Sequence, residues 1–387
     1  MEFAWLLMFI VCAVIIVYTY LGYGALLLLF TSRRRRNLAS PKPVELPAIT
    51  HIIAAYNEEA CIREKIDNCR QLDYPSEKIH TIIITDGSND QTPAIVKQYP
   101  DITLMHSSKR QGKFSAMERA IAKVETSITL FSDANAMLNA EAIQKIARHF
   151  SNKKVGAVAG EKQVTYTHNQ NASKGEGLYW KYESFLKKMD AELHTVVGAA
   201  GELFAIRTSL FEKPEKSVII EDFVLTVGIA AKGYRVAYEP KAIASEKGSA
   251  NIMEELKRKV RISAGGLQAS WQLKHLLNPF KYGKLAFQLF SHRVIRWTLA
   301  PISLVLLFVT SALLSKSGSL FFQFMTFGQL FFYLYALVAY HVEQSGRSIK
   351  YGLSIFYFAF MNLSVFLGLM FLIRRREMVL WEKAKRA

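Results

Sequence analysis

Residues 81–92 read TIIITDGSNDQT. Three isoleucines in a row, flanked by threonines, form the β-branched run of a strand buried on both faces. The run ends abruptly at Asp86, followed by the small polar turn Gly87-Ser88-Asn89-Asp90. The same grammar occurs twice more. AITHIIAAYNEE carries an apolar strand into Tyr56-Asn57-Glu58, and SITLFSDANAML carries one into Asp133-Ala134-Asn135. Between these runs, ACIREKIDNCRQL, PAIVKQY and KFSAMERAIAKV space their apolar residues as helices do, and ITLMHS is a further short strand. Alternating strands and helices predict a mostly parallel sheet covered on both faces. In such sheets ligands bind beyond the carboxyl ends of the strands, where all three acidic loops fall.

The remainder of the 387 residues is uneven in polarity. The chain is 51% hydrophobic, yet residues 3–30 contain no charged side chain, and three more apolar segments lie at about 294–314, 320–340 and 351–373. Each approaches the length that crosses a bilayer. The first lacks a preceding basic region and is too long for a signal-peptide core, so it is expected to stay as a transmembrane helix over 1–32. The net charge of +17 is concentrated at span ends, in Arg33–Arg36 and Arg374–Arg376, which suits a membrane surface and argues against nucleic acid. The expected organisation is therefore a helix at 1–32, a globular domain at 47–270, an amphipathic interface helix at 275–293, an apolar region at 294–373 and a basic tail at 374–387. The tetra-arginine run puts the globular domain in the cytosol. Three full C-terminal crossings would then leave the basic tail outside, so either one segment is re-entrant or the tail breaks the rule. Cys12, Cys61 and Cys69 have neither metal nor disulfide spacing.

Two further stretches carry carboxylates. SVIIEDFVLTVGIAAKG places Glu221 and Asp222 at the start of an apolar-periodic helix, downstream of the small-residue turn Gly198 to Gly201 in GAAGELFAIRTSLF. Adjacent acids at a helix start can simply complement its dipole. Together with the three strand ends, however, they resemble the inverting, membrane-bound family 2 glycosyltransferases, which have a GT-A catalytic fold and include the cellulose and hyaluronan synthases. The resemblance covers about residues 47–266.

The resemblance implies a role for each matching residue. Ala54 and Tyr56 would line the nucleobase pocket, with the Tyr56 ring stacked on the base and Glu58 nearby. Asp86 would accept a hydrogen bond from the base, and Lys113 would approach the nucleotide. Asp133 would hold Mn²⁺ or Mg²⁺ against the diphosphate. The second position of the family's Asp-x-Asp is Asn135 here, which weakens its claim as a ligand. Asp222 would be the general base, with Glu221 positioning it. Gly201 and Glu202 would border the sugar or acceptor, and Trp180, in the aromatic helical stripe GLYWKYESFLKKMD, is either core or a sugar platform. The family's Gln-x-x-Arg-Trp becomes Arg258, Arg261 and Ile262. Arg258 and Arg261 suit a diphosphate, but the missing tryptophan favours transfer of a single residue over polymerisation. The partners the resemblance implies are a nucleoside-diphosphate sugar, of uridine by family habit, and a glycan or lipid-linked acceptor at a cell (bacterial inner) membrane, within a polysaccharide or glycolipid assembly. A processive synthase and a non-catalytic sugar-nucleotide-binding subunit are the alternatives. Asn171 and Asn362 match glycosylation acceptors but fall on the cytosolic side and within a span, respectively.

Overall fold

The computed structural model describes residues 2–31, 45–165, 173–214, 218–345, 347, 349 and 351–374. The tetra-arginine run, Asn171 and the tail beyond Arg374 lie outside the described residues. The eight strands among the described residues form one sheet in the order β3-β2-β1-β4-β7-β6-β8-β5. They are β1 (Ile49–Ala55), β2 (Ile79–Asp86), β3 (Thr103–Ser107), β4 (Ile128–Asp133), β5 (Met137–Leu138), β6 (Val155–Thr165), β7 (Leu203–Arg207) and β8 (Arg235–Lys247). The half from β3 to β4 is parallel throughout. Beyond β4 the sheet turns mixed: β7 runs antiparallel to both β4 and β6, β8 is parallel to β6, and β5 is antiparallel to β8.

Ile82 and Ile84 enter one core cluster and Ile83 enters another, and all three are buried. Successive strand side chains point to opposite faces, so a strand covered by helices on both sides must be apolar at every position. That is why the quoted run does not alternate. The covering helices are α2 (Ile62–Arg70), α3 (Thr92–Val96), α4 (Lys113–Ile121), α5 (Ala142–His149), α6 (Ser173–Leu193) and α7 (Glu221–Ala231), whereas α8 (Ile252–Gln272) packs against the later apolar helix Gly352–Arg374.

Among the described residues three helices are long and apolar enough to cross a membrane: α1 (Glu2–Thr31), α10 (Leu320–Gln344) and α11 (Gly352–Arg374). The first apolar C-terminal segment behaves differently. Its helix α9 (Leu299–Ser315) meets the preceding stretch, Lys284–Trp297, at 51°, either as a broken span or as a re-entrant element. The segment expected as one amphipathic helix at 275–293 is instead a series of short turns, including Pro279–Tyr282, Lys284–Gln288 and a π-helical Leu289–Val294. Asn278 caps Pro279–Tyr282, and Gly283, at φ +48°, separates that turn from the next. Phe280 stands 99% exposed, but Ile295 is buried and Arg293 and Arg296 point inward rather than to a surface.

Those two arginines close on Glu183 of α6, with Nη2 of Arg293 at 2.6 Å and Nη1 of Arg296 at 3.1 Å. His292 bridges Glu183 to Asp190, its Nδ1 lying 2.5 Å from the Asp190 carboxylate, which also accepts the Tyr23 hydroxyl of α1. This buried network ties α1, the globular domain and the pre-α9 turns together. Deleting one partner of such a cluster strands charge out of water. Glu183→Ala is expected to lower stability by about 3–5 kcal/mol, seen as an earlier thermal unfolding transition in detergent.

Candidate active site

The parallel register fixes the geometry. Ala54 lies beside Asp133, and Ala55 beside Thr85, so β1, β2 and β4 end at one rim. A cavity of about 1120 Å³ opens there. Every residue singled out from the sequence lines it: Ala54, Tyr56, Glu58, Asp86, Lys113, Asp133, Asn135, Trp180, Gly201, Glu202, Glu221, Asp222, Arg258 and Arg261.

Asp86 has a side chain only 6% exposed and works mainly as a loop anchor. Its Oδ2 accepts the backbone N–H groups of Gln111 (2.9 Å) and Gly112 (2.7 Å), and its Oδ1 accepts Arg119 at 2.6 Å. A base at this position would share an oxygen that is already engaged. The anchored loop delivers Arg110, whose guanidinium sits 3.7 Å from the centre of the Tyr56 ring. Arg110 was not legible in the sequence: it stands three residues ahead of a helix start in a run that looks merely basic, and only the Asp86 anchorage turns it onto Tyr56.

Lys113 opens α4 directly after Gly112, at φ +94°. Its amine reaches Asp133 Oδ1 at 2.6 Å and Glu221 Oε1 at 3.1 Å. Burial alone would lower its pKa, but the carboxylates of Asp133, Glu221 and Asp222 raise it, so it stays charged. Asp222 moves the other way. Burial raises its pKa to about 7, and neighbouring Glu221 and Glu202 push in the same direction against the opposing pull of Lys113. One carboxyl near neutrality beside Glu202, which stays ionised, is the division of labour an acid–base site needs. Glu202 is itself held well below its usual range despite burial, because the Lys162 amine bonds to both Glu202 and Glu246.

Gly198 and Gly201 are needed for different reasons. Gly198 has φ +86° and faces the Phe223 ring, while a side chain at Gly201 would come within 2.8 Å of Lys113 Nζ and 3.3 Å of Asp222 Oδ2. Lys113 can shift, so Gly201→Ala is expected to fold normally but lose about tenfold in turnover, in line with a small displacement of reacting groups. Turnover together with an unchanged melting curve checks this.

Two expected roles sit awkwardly with their surroundings. The Trp180 ring has the amines of Lys162, Lys187 and Lys259 at 5.2, 5.7 and 5.5 Å, so three cations crowd around it. Arg258 is buried and paired with Glu255, its Nε 3.1 Å away, and so is partly committed before any diphosphate arrives. Arg261 is exposed on the cavity wall.

The model of the glycosyl transferase family 2 matches residues 50–213, the part that runs from β1 through the turn after β7. Those residues are a family 2 glycosyl transferase domain. The domain is similar to the poly-β-1,6-N-acetyl-D-glucosamine synthase of Staphylococcus aureus (strain COL), at 26% identity over 258 residues, 63% of this chain and 61% of that protein. It is also similar to the β-monoglucosyldiacylglycerol synthase of Synechocystis sp., at 24% identity over 238 residues, 58% of this chain and 49% of the relative. The match thus spans less than two thirds of either relative. The mannosyltransferase PcManGT from Pyrobaculum calidifontis, solved in complex with GDP-Man and Mn²⁺, superposes with a TM-score of 0.71 over 95% of this chain and 99% of its own, at 21% identity. The family 2 domain therefore has the GT-A fold, and the cavity lies at the carboxyl rim of its parallel half.

Asp133 and Asn135 share one loop at the cavity rim. Among the described residues no group of three His, Cys, Asp or Glu side chains converges as a metal site. One carboxylate and one amide oxygen suit a hard cation that brings further oxygen ligands on a diphosphate, because Mg²⁺-like ions keep several non-protein ligands.

Proposed function

We propose that the chain transfers a sugar, with inversion, from a nucleoside-diphosphate sugar to a hydroxyl of a membrane-associated acceptor. The observation that carries this reading is Asp222: a carboxyl raised to about 7, on the wall of the same cavity as the Lys113–Asp133 pair. The acceptor oxygen attacks the anomeric carbon, forming the new C–O bond. The bond to the diphosphate breaks, and its electron pair leaves with the nucleoside diphosphate. Asp222 takes the hydroxyl proton as attack proceeds. Tyr56, with Arg110 stacked on its ring, would sit against the base, Lys113, Arg258 and Arg261 would meet the diphosphate, and Glu221 would keep Lys113 and Asp222 in place. Mn²⁺ or Mg²⁺ on Asp133, with Asn135 beside it, would supply charge neutralisation for the departing diphosphate.

This assignment sets the pH dependence. Only ionised Asp222 accepts a proton, so kcat/KM is expected to rise with pH and level off above about 7, the value set by burial and Glu221. Stability has the opposite sign. Between the ordinary carboxyl value of 3.8 and about 7, the native state keeps a proton that the unfolded chain has lost, so stability falls as pH rises through that window. Asp222→Asn should flatten this slope, which a series of melting curves would reveal.

The membrane placement supports the acceptor class. If α1, α10 and α11 cross and α9 does not, an outside N-terminus places both the family 2 domain and the basic tail in the cytosol. That arrangement removes the conflict raised by three C-terminal crossings. A second reading, a processive polysaccharide synthase, draws on the synthase from S. aureus named above. Product length on a sizing gel separates the two: a single added residue supports the first reading and a ladder the second.

A further inference from the structure

The donor side of the cavity is acidic, but the far side is not. There α6 and the turns before α9 contribute Lys187, Arg293 and Arg296 against Glu183, and α8 adds Lys259 beside the diphosphate-facing Arg258 and Arg261. Arg258 and Lys259 share Glu255, and Arg293 and Arg296 share Glu183. Two of these cations keep unused capacity. Lys187 is 2% exposed, and among the described residues its amine has no carboxylate partner, only the Trp180 ring at 5.7 Å. Arg296 spends Nη1 on Glu183, while its Nε and Nη2 are buried without a hydrogen-bond partner among the described residues. Buried cationic donors that nothing satisfies are costly, and facing a cavity they are suited to an anion.

What lies past them identifies the anion. The same wall continues onto α1 and α11 through Tyr20, Phe358, Asn362 and Val365, and the Tyr20 hydroxyl donates to Asn362 Oδ1 at 2.8 Å. Both helices are long and apolar enough to cross a bilayer. A ligand with a charged head and an apolar remainder matches both halves of this surface.

We infer that the far side of the cavity seats the phosphate of a membrane lipid at Lys187 and Arg296, with the lipid's apolar part running out along α1 and α11. Held there, the lipid presents a headgroup hydroxyl to Asp222 in the step given above. Its role as acceptor rests on the transferase reading, whereas its binding does not.

The test uses the purified full chain in a neutral maltoside detergent, with equilibrium binding of short-chain phosphatidylglycerol, the matched diacylglycerol and inorganic phosphate. UDP and GDP binding are measured on the same preparations. The expected result is phosphatidylglycerol binding at least tenfold tighter than the diacylglycerol. Lys187→Met should weaken it about tenfold, Lys187→Arg should preserve it, and Arg296→Met should act like Lys187→Met. Nucleotide affinity should stay unchanged in the Lys187 variants, which also shows that they are folded. Equal affinity for the charged and uncharged lipids, or an unaltered Lys187→Met, would overturn the lipid seat. Inorganic phosphate binding as tightly as the lipid would also overturn it, in favour of a soluble anion. Failure of the wild type to bind any nucleotide would count against the transferase reading and leave the lipid result standing.

Discussion

Asp222→Asn is expected to lower kcat by about 10²–10⁴-fold, the range that a positioned general base contributes, while leaving nucleotide affinity nearly unchanged. The amide keeps the shape of the carboxyl but cannot take the acceptor's proton. It also removes a negative charge that burial, Glu221 and Glu202 all disfavour. The variant should therefore be at least as stable as the wild type, so a loss of activity cannot be traced to unfolding. Turnover measured beside thermal unfolding and nucleotide titration separates the two causes. A comparable loss of nucleotide affinity would instead make Asp222 part of the donor's seat.

The second large effect is expected at Asp133. Asp133→Ala removes the carboxylate that meets Lys113 at 2.6 Å and the strand-end oxygens proposed to face the cation. Lys113 keeps Glu221, so the amine remains in place, but the departing diphosphate loses its counter-charge. Lewis-acid stabilisation of that kind amounts to several kcal/mol, so turnover should fall on the order of 10³-fold. The response to added Mn²⁺ should flatten at the same time. Titrating Mn²⁺ against turnover in wild type and variant checks this: a variant with an unaltered Mn²⁺ optimum would place the cation elsewhere.

How much of this was legible in the sequence follows from the range of the interactions. The strands ending at Ala55, Asp86 and Asp133 are local features, written as buried apolar runs that stop at polar turns. Parallel register then brings their ends together without further information. The helices with Lys113 and Glu221 at their starts were equally local. The antiparallel insertion of β7 between β4 and β6 was not legible, because it depends on pairings between strands far apart in the chain. The amphipathic pattern at 275–293 misled for a related reason. Arg293 and Arg296 look like a polar helix face until Glu183, more than a hundred residues earlier, draws them inward. Trp180 raised the same difficulty: an aromatic at helical spacing does not disclose that Lys162 and Lys259 will arrive from β6 and α8.

The central claim is that these carboxylates surround a departing nucleoside diphosphate. Its most direct test is nucleotide release by full-length chain in membranes, from a panel of UDP-, GDP- and dTDP-sugars with Mn²⁺ or Mg²⁺. Wild type is compared with a variant carrying both Asp133→Ala and Asp222→Asn. The account predicts release from at least one donor by the wild type and none above background by the variant. Release by the variant at the wild-type rate would contradict it.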